Sequence, residues 1–111
     1  MQNGGGNRMA KPTYYYSLGY LQQNDKDGIF YHLPVTTEVT TDIKVAEKWF
    51  QNAVYILQNH YGRKLIRVEE RELDYACWIK EAIFECTEAA FAKGKYALEL
   101  QCFTHNPCNV D

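Results

Sequence analysis

The sequence predicts an α+β fold: a two-layer sandwich of β-β-α-β-α-β order, with about four strands in one sheet and two helices packed on one face. Three observations predict it. Residues 42–61 and 73–93 both carry apolar side chains at helical spacing, and each block stops at a glycine, Gly62 and Gly94. After each glycine the spacing turns strand-like, at Leu65-Ile66-Arg67-Val68 and at Tyr96-Ala97-Leu98-Glu99-Leu100. Ahead of both blocks, two alternating stretches flank a turn. Glycine just past a helix suits the left-handed C′ position, and a change of hydrophobic period marks a change of element.

The chain opens on a polar, patternless stretch, Met1 to Arg8, followed by Met9-Ala10-Lys11. Adjacent glycine codons can spell a purine-rich ribosome-binding site. Met9 therefore reads as a candidate true start of a bacterial, phage or plasmid gene, with a disordered tail as the plain alternative. The expected organisation is a tail over 1–12, one domain over 13–104 and a second tail over 105–111. A chain of 111 residues suits one domain.

Thr13 to Gln22 alternates, with Tyr14, Tyr16, Leu18 and Tyr20 on one face. Ile29 to Val35 alternates with Ile29, Tyr31, Leu33 and Val35 on one face. The connection Gln23-Asn24-Asp25-Lys26-Asp27-Gly28 is turn chemistry, so the pair reads as a hairpin. Pro34 lacks an amide hydrogen and places the end of the second strand, or a sheet edge, near itself. Thr36 to Thr41 is a linker, and Thr41 or Asp42 is the helix N-cap.

The first helix carries a stripe of Ile43, Ala46, Phe50, Ala53, Val54, Leu57 and Tyr61, flanked by Trp49 and Ile56. Polar residues fall opposite, as on a surface helix laid on a core. The second helix carries Tyr75, Ala76, Ile79, Ala82, Ile83, Cys86 and Ala90. It also has a second apolar line, Cys77, Phe84 and Phe91, at intervals of seven, with Glu81, Glu85 and Glu88 beside it. One buried stripe does not need that second line. Either the helix is sandwiched inside the fold, or the second line is a surface that meets another chain, the reading preferred for so short a chain.

Composition excludes several classes. The formal charge of −2 disfavours a dedicated DNA-binding domain. No apolar run approaches the ~20 residues that span a bilayer, and no secretory h-region opens the chain. The expected location is cytoplasmic. The four cysteines, at 77, 86, 102 and 108, read as reduced thiols.

Candidate chemistry is sparse. Cys102, His105 and Cys108 have metal-like spacing, but no fourth ligand lies nearby in the sequence. Cys86 and Cys77 could act with His32, His60 or His105, yet no local signature joins thiol to base. Cys86 falls mid-stripe and His60 in the last turn of the first helix, both structural positions. Glu69, Glu70, Glu72 and Asp74 cluster before the second helix, where negative charge suits its N-terminus. Gly4-Gly5-Gly6 follows no strand and opens no helix, so no phosphate loop is expected.

The resulting expectation is a non-enzymatic protein-interaction protein of accessory type, from a bacterium or mobile element. It has no cofactor, metal or membrane partner. It forms a homodimer through the second helix, by Cys77, Trp78, Phe84 and Phe91, with Glu81, Glu85 and Glu88 along the contact. An unidentified protein is its further partner. The alternative is a single-stranded nucleic-acid binder that uses Tyr15 with Arg63, Lys64, Arg67 and Arg71. A third reading is a small enzyme whose site is assembled from distant segments.

Overall fold

The computed structural model describes residues 13–33, 38–72 and 78–104. Five strands and one helix make up these residues: β1 (Tyr15–Gln23), β2 (Phe30–His32), α1 (Ile43–His60), β3 (Lys64–Glu70), β4 (Trp78–Cys86) and β5 (Gly94–Phe103). A short 3₁₀ turn, Ala89–Phe91, joins β4 to β5. The strands form a single antiparallel sheet in the order β2-β1-β5-β4-β3.

This corrects the expected β-β-α-β-α-β sandwich. Over its described residues, 78–93, the second helical block is not an α-helix: Trp78–Cys86 is a strand held between β3 and β5. Its side chains alternate, with Lys80, Ala82, Phe84 and Cys86 turned to the helix side. Buried residues recur at every second position from Ala82 to Cys86. The expected tails at 1–12 and 105–111, and the candidate start at Met9, lie outside the described residues.

The hairpin forms where the turn chemistry places it. Asn24 receives the Lys26 amide at 2.8 Å, and Asp27 receives the Ile29 amide at 2.9 Å and the Tyr31 hydroxyl at 2.7 Å. Gly28 takes φ +73°, which costs glycine nothing. β2 pairs only with Leu21 to Gln23. Further along the same edge of β1, Thr40 exchanges two backbone hydrogen bonds with Tyr16. Pro34 and Val35 lie outside the described residues.

Asp42 caps α1 by accepting the Lys44 amide at 2.9 Å, a contact worth about 1 kcal/mol. Past the helix, Gly62 takes φ +64°. A methyl group there would also stand 2.8 Å from a Glu88 carboxylate oxygen. Ala46 and Phe50 of α1 are buried against Tyr16, Leu98, Leu100, Ala82 and Phe84 of the sheet. The helix lies over β1 and β5. On the other face of the sheet no helix or strand is present among the described residues.

Candidate functional site

Three places have organised side chains: a buried arginine at the end of α1, a row of glutamates on the helix-free face, and an apolar groove beside α1.

Arg63 follows Gly62 directly, so its side chain turns inward as the chain leaves the helix. It is 8% exposed. Its Nε donates to the Tyr20 hydroxyl at 2.9 Å, and Nη1 donates to the carbonyls of Tyr61, at 2.7 Å, and of Phe91. The guanidinium lies 4.0 Å above the Tyr96 ring, which stacks on Tyr20. Among the described residues no carboxylate pairs with it. Carbonyl dipoles, a π face and the negative end of the helix compensate the cation. Burial raises the Tyr20 hydroxyl pKa, and the hydrogen bond from Arg63 pulls it back. The Cys86 thiol lies 3.6 Å and 3.7 Å from the carbonyls of Glu88 and Phe91, and Arg63 lies 3.9 Å from its sulfur.

On the helix-free face, cross-strand register aligns Gly19, Glu99, Glu81 and Glu69 in one row. Like charges directly opposite destabilise a sheet. The Glu81 carboxyl is accordingly raised above the ordinary carboxylate range, first by burial, then by Glu99 and Glu69, while Arg67 and Arg71 act the other way. Arg67 donates to Glu69 at 2.8 Å, and Gln101 donates to Glu99 at 3.1 Å. Arg71 stacks 3.8 Å above Trp78. The carboxylates lie in a line and do not converge, and no group fit to hold a metal ion occurs among the described residues.

The groove holds about 300 Å³, the lower end of the range for ligand sites. Leu18, Tyr20 and Leu98 form its floor, and Trp49, Ala53, Ile56 and Leu57 of α1 form its wall. Glu38 stands at its rim. The Glu38 carbonyl receives the Ser17 hydroxyl at 2.9 Å, which ties the rim to β1. The groove exists because α1 buries one stripe over the sheet while the flanking Trp49 and Ile56 overhang β1.

The residues singled out in the sequence are scattered by this fold. Phe84 is 0% exposed and sits in the core, so it cannot serve the second-helix interface. Glu81 and Glu85 lie on the opposite face of the same strand. Trp78 is buried under Arg71 on that face. Phe91 and Glu88 are exposed at the 3₁₀ turn, and Cys77 lies outside the described residues.

Of the nucleic-acid set, Arg63 is spent inside the fold. Tyr15, Lys64 and Arg67 lie on the helix-free face, with Arg71 just past β3. Cys102 is buried beside Tyr16, while His105 and Cys108 lie outside the described residues. Glu70 meets Lys80 at 3.8 Å, Glu72 is exposed, and Asp74 is outside the described residues. His60 packs edge-on to Tyr55 and His32 sits on β2, so neither joins Cys86.

The groove escaped the sequence reading, although part of its signal was present. Trp49 and Ile56, seven residues apart, flank the α1 stripe in the sequence. Alternation places Leu18 and Tyr20 on one face of a strand, but a strand position does not reveal how far a helix covers it. Among the described residues no helix is long and apolar enough to cross a membrane. Comparison with protein-family models, with curated proteins and with solved structures found no match.

Proposed function

We propose that this chain is a small non-enzymatic protein-binding module whose groove between α1 and β1 seats an apolar side chain of a partner protein. The observation that supports this is the groove lining: seven apolar or aromatic residues around about 300 Å³, with a single carboxylate at the rim. Its polar side chains are the Glu38 carboxylate at the rim and the Tyr20 hydroxyl held by Arg63, which is short of the nucleophile, base and convergent polar set of a catalytic pocket. Trp49 at the wall is an anchor of the kind enriched in protein interfaces. Glu38 favours a partner with a basic residue next to its apolar one.

The nucleic-acid reading has weaker support. Arg63 is buried, and Arg67 and Arg71 stand beside three glutamates that repel phosphate.

Selection of binders from a displayed peptide library tests the proposal. Enriched peptides should carry an apolar anchor beside Lys or Arg. Ala53→Trp, which fills the groove, should weaken their binding by about tenfold or more, and Glu38→Lys by several-fold, with circular dichroism unchanged. Absence of enrichment, or binding indifferent to both substitutions, would overturn the reading.

A further inference from the structure

The outer edge of β3 has a built-in match to itself. No strand lies beyond it among the described residues. Ile66 and Val68 are 50% and 46% exposed there. The bulge between Leu65 and Arg67 determines what the edge presents.

In an antiparallel ladder, successive residues turn their backbone groups to alternate neighbours. The Arg71 amide donates to the Ile79 carbonyl at 2.9 Å, so Arg71, Glu69 and Arg67 turn toward β4 and Val68 turns outward. On β4, Ile79, Glu81, Ile83 and Glu85 then face β3. Leu65 is opposite Phe84, so it too turns outward, whereas Lys64, opposite Glu85, turns inward. The outward positions are thus Leu65, Val68 and Glu70, of which the two apolar ones, on either side of the bulge, are three residues apart.

A regular strand presents such positions every two residues and cannot match both. A second copy of this strand, run antiparallel, has the same spacing. Leu65 meets Val68 of the copy, and Val68 meets its Leu65. In that register both apolar residues share the helix side of the sheet. Lys64 falls opposite Glu69 of the copy on the helix-free side, and this charge pair occurs twice.

We propose that the chain forms a two-fold homodimer by pairing β3 with β3 of a second copy, continuing the sheet across the interface. The bulge that defends an edge against unrelated strands selects for self here. Backbone direction, face and charge all agree on one register. α1 lies over β1 and β5 and leaves the edge uncovered.

The test is sedimentation of the full chain over a range of concentrations, with Lys64→Glu, Glu69→Lys and the double variant. Both positions are exposed, and circular dichroism monitors folding. The wild-type chain should dimerise. Each single variant places like charges opposite one another twice and should raise the dimer Kd by about tenfold or more. An equimolar mixture of the two single variants should form a one-to-one heterodimer, and the double variant should return to within about threefold of wild type. A wild-type monomer up to about 1 mM, single variants that associate like wild type, or a mixture that stays monomeric would each overturn the proposal.

Discussion

Arg63 and Glu81 are charges partly withdrawn from water, and the fold treats them differently. Arg63 has its donors turned onto carbonyls and a hydroxyl, and its plane onto an aromatic ring. It fastens the end of α1, the 3₁₀ turn and two strands together. Glu81 has the opposite surroundings, with a carboxylate on either side in the same row. Because its folded-state pKa is raised, the folded chain binds its proton more tightly than the unfolded chain does. Its contribution is therefore unfavourable at neutral pH and is relieved as pH falls through the raised value. Glu81→Gln should stabilise the protein at pH 7 by about 0.5 kcal/mol. The gain should fall as pH drops through the raised value and vanish below about pH 3, where the carboxyl is protonated in both states. Urea unfolding of both chains at the two pH values checks this. A variant no more stable than wild type at pH 7 would show that the row carries no net repulsion.

At the scale of elements, local chemistry and tertiary context had unequal reach. The turn after β1, the Asp42 cap, α1 and Gly62 were legible because each is specified by neighbours in sequence. β3 and β5 were legible because alternation resumes after a glycine. β4 was misread. Its Lys, Glu and Ala content favours a helix, and Ile79, Ala82, Ile83 and Cys86 fit a helical stripe. The same nine residues also alternate, and β3 and β5 on either side decide between the two patterns. Of the surplus line, Phe84 sits on the core face of β4, while Phe91 lies exposed on the 3₁₀ turn. The groove was only half legible, because its wall belongs to one element and its floor to two others.

The link after β4 holds a local conflict that the sequence does not advertise. Ala92 adopts φ +61° and ψ +79°, a left-handed conformation, at the end of the 3₁₀ turn. Its backbone remains in use: the amide bonds Ala89, and the carbonyl accepts the Tyr96 hydroxyl. The methyl group makes that conformation costly, by about 1–2 kcal/mol. Ala92→Gly removes the strain but frees the unfolded chain, an opposing effect of about 0.4–1 kcal/mol. The expected net is a stabilisation of about 0.5–1 kcal/mol, read as a shift of the urea midpoint with unchanged slope. A lower midpoint would mean that the left-handed geometry is not strained at this site.

For the whole molecule, the central event is the pairing of the first strand with the last. β1 and β5 run together over eight residue pairs, from Tyr15–Phe103 to Gln22–Tyr96, in the middle of the sheet. Among the described residues no other strand pairing joins segments so far apart in sequence. Closing so long a loop costs entropy before any contact forms, and non-local pairing of this kind slows folding. Tyr15 and Phe103 are register partners, so the two strands end side by side. A circular permutant can therefore join Thr104 to Thr13 through a short Asn-Gly turn and open the chain between Asp25 and Lys26. This makes β5-β1 a hairpin and leaves the strand order intact. The broken loop is exposed, so its loss should cost little beyond the hydrogen bonds of Asn24 and Asp27. The permutant should keep the circular dichroism spectrum of the parent and refold several-fold faster from urea, with little change in unfolding rate. An equal refolding rate would place the β1–β5 pairing after the rate-limiting step, and β3-β4-β5 assembly on α1 would then be the slow event.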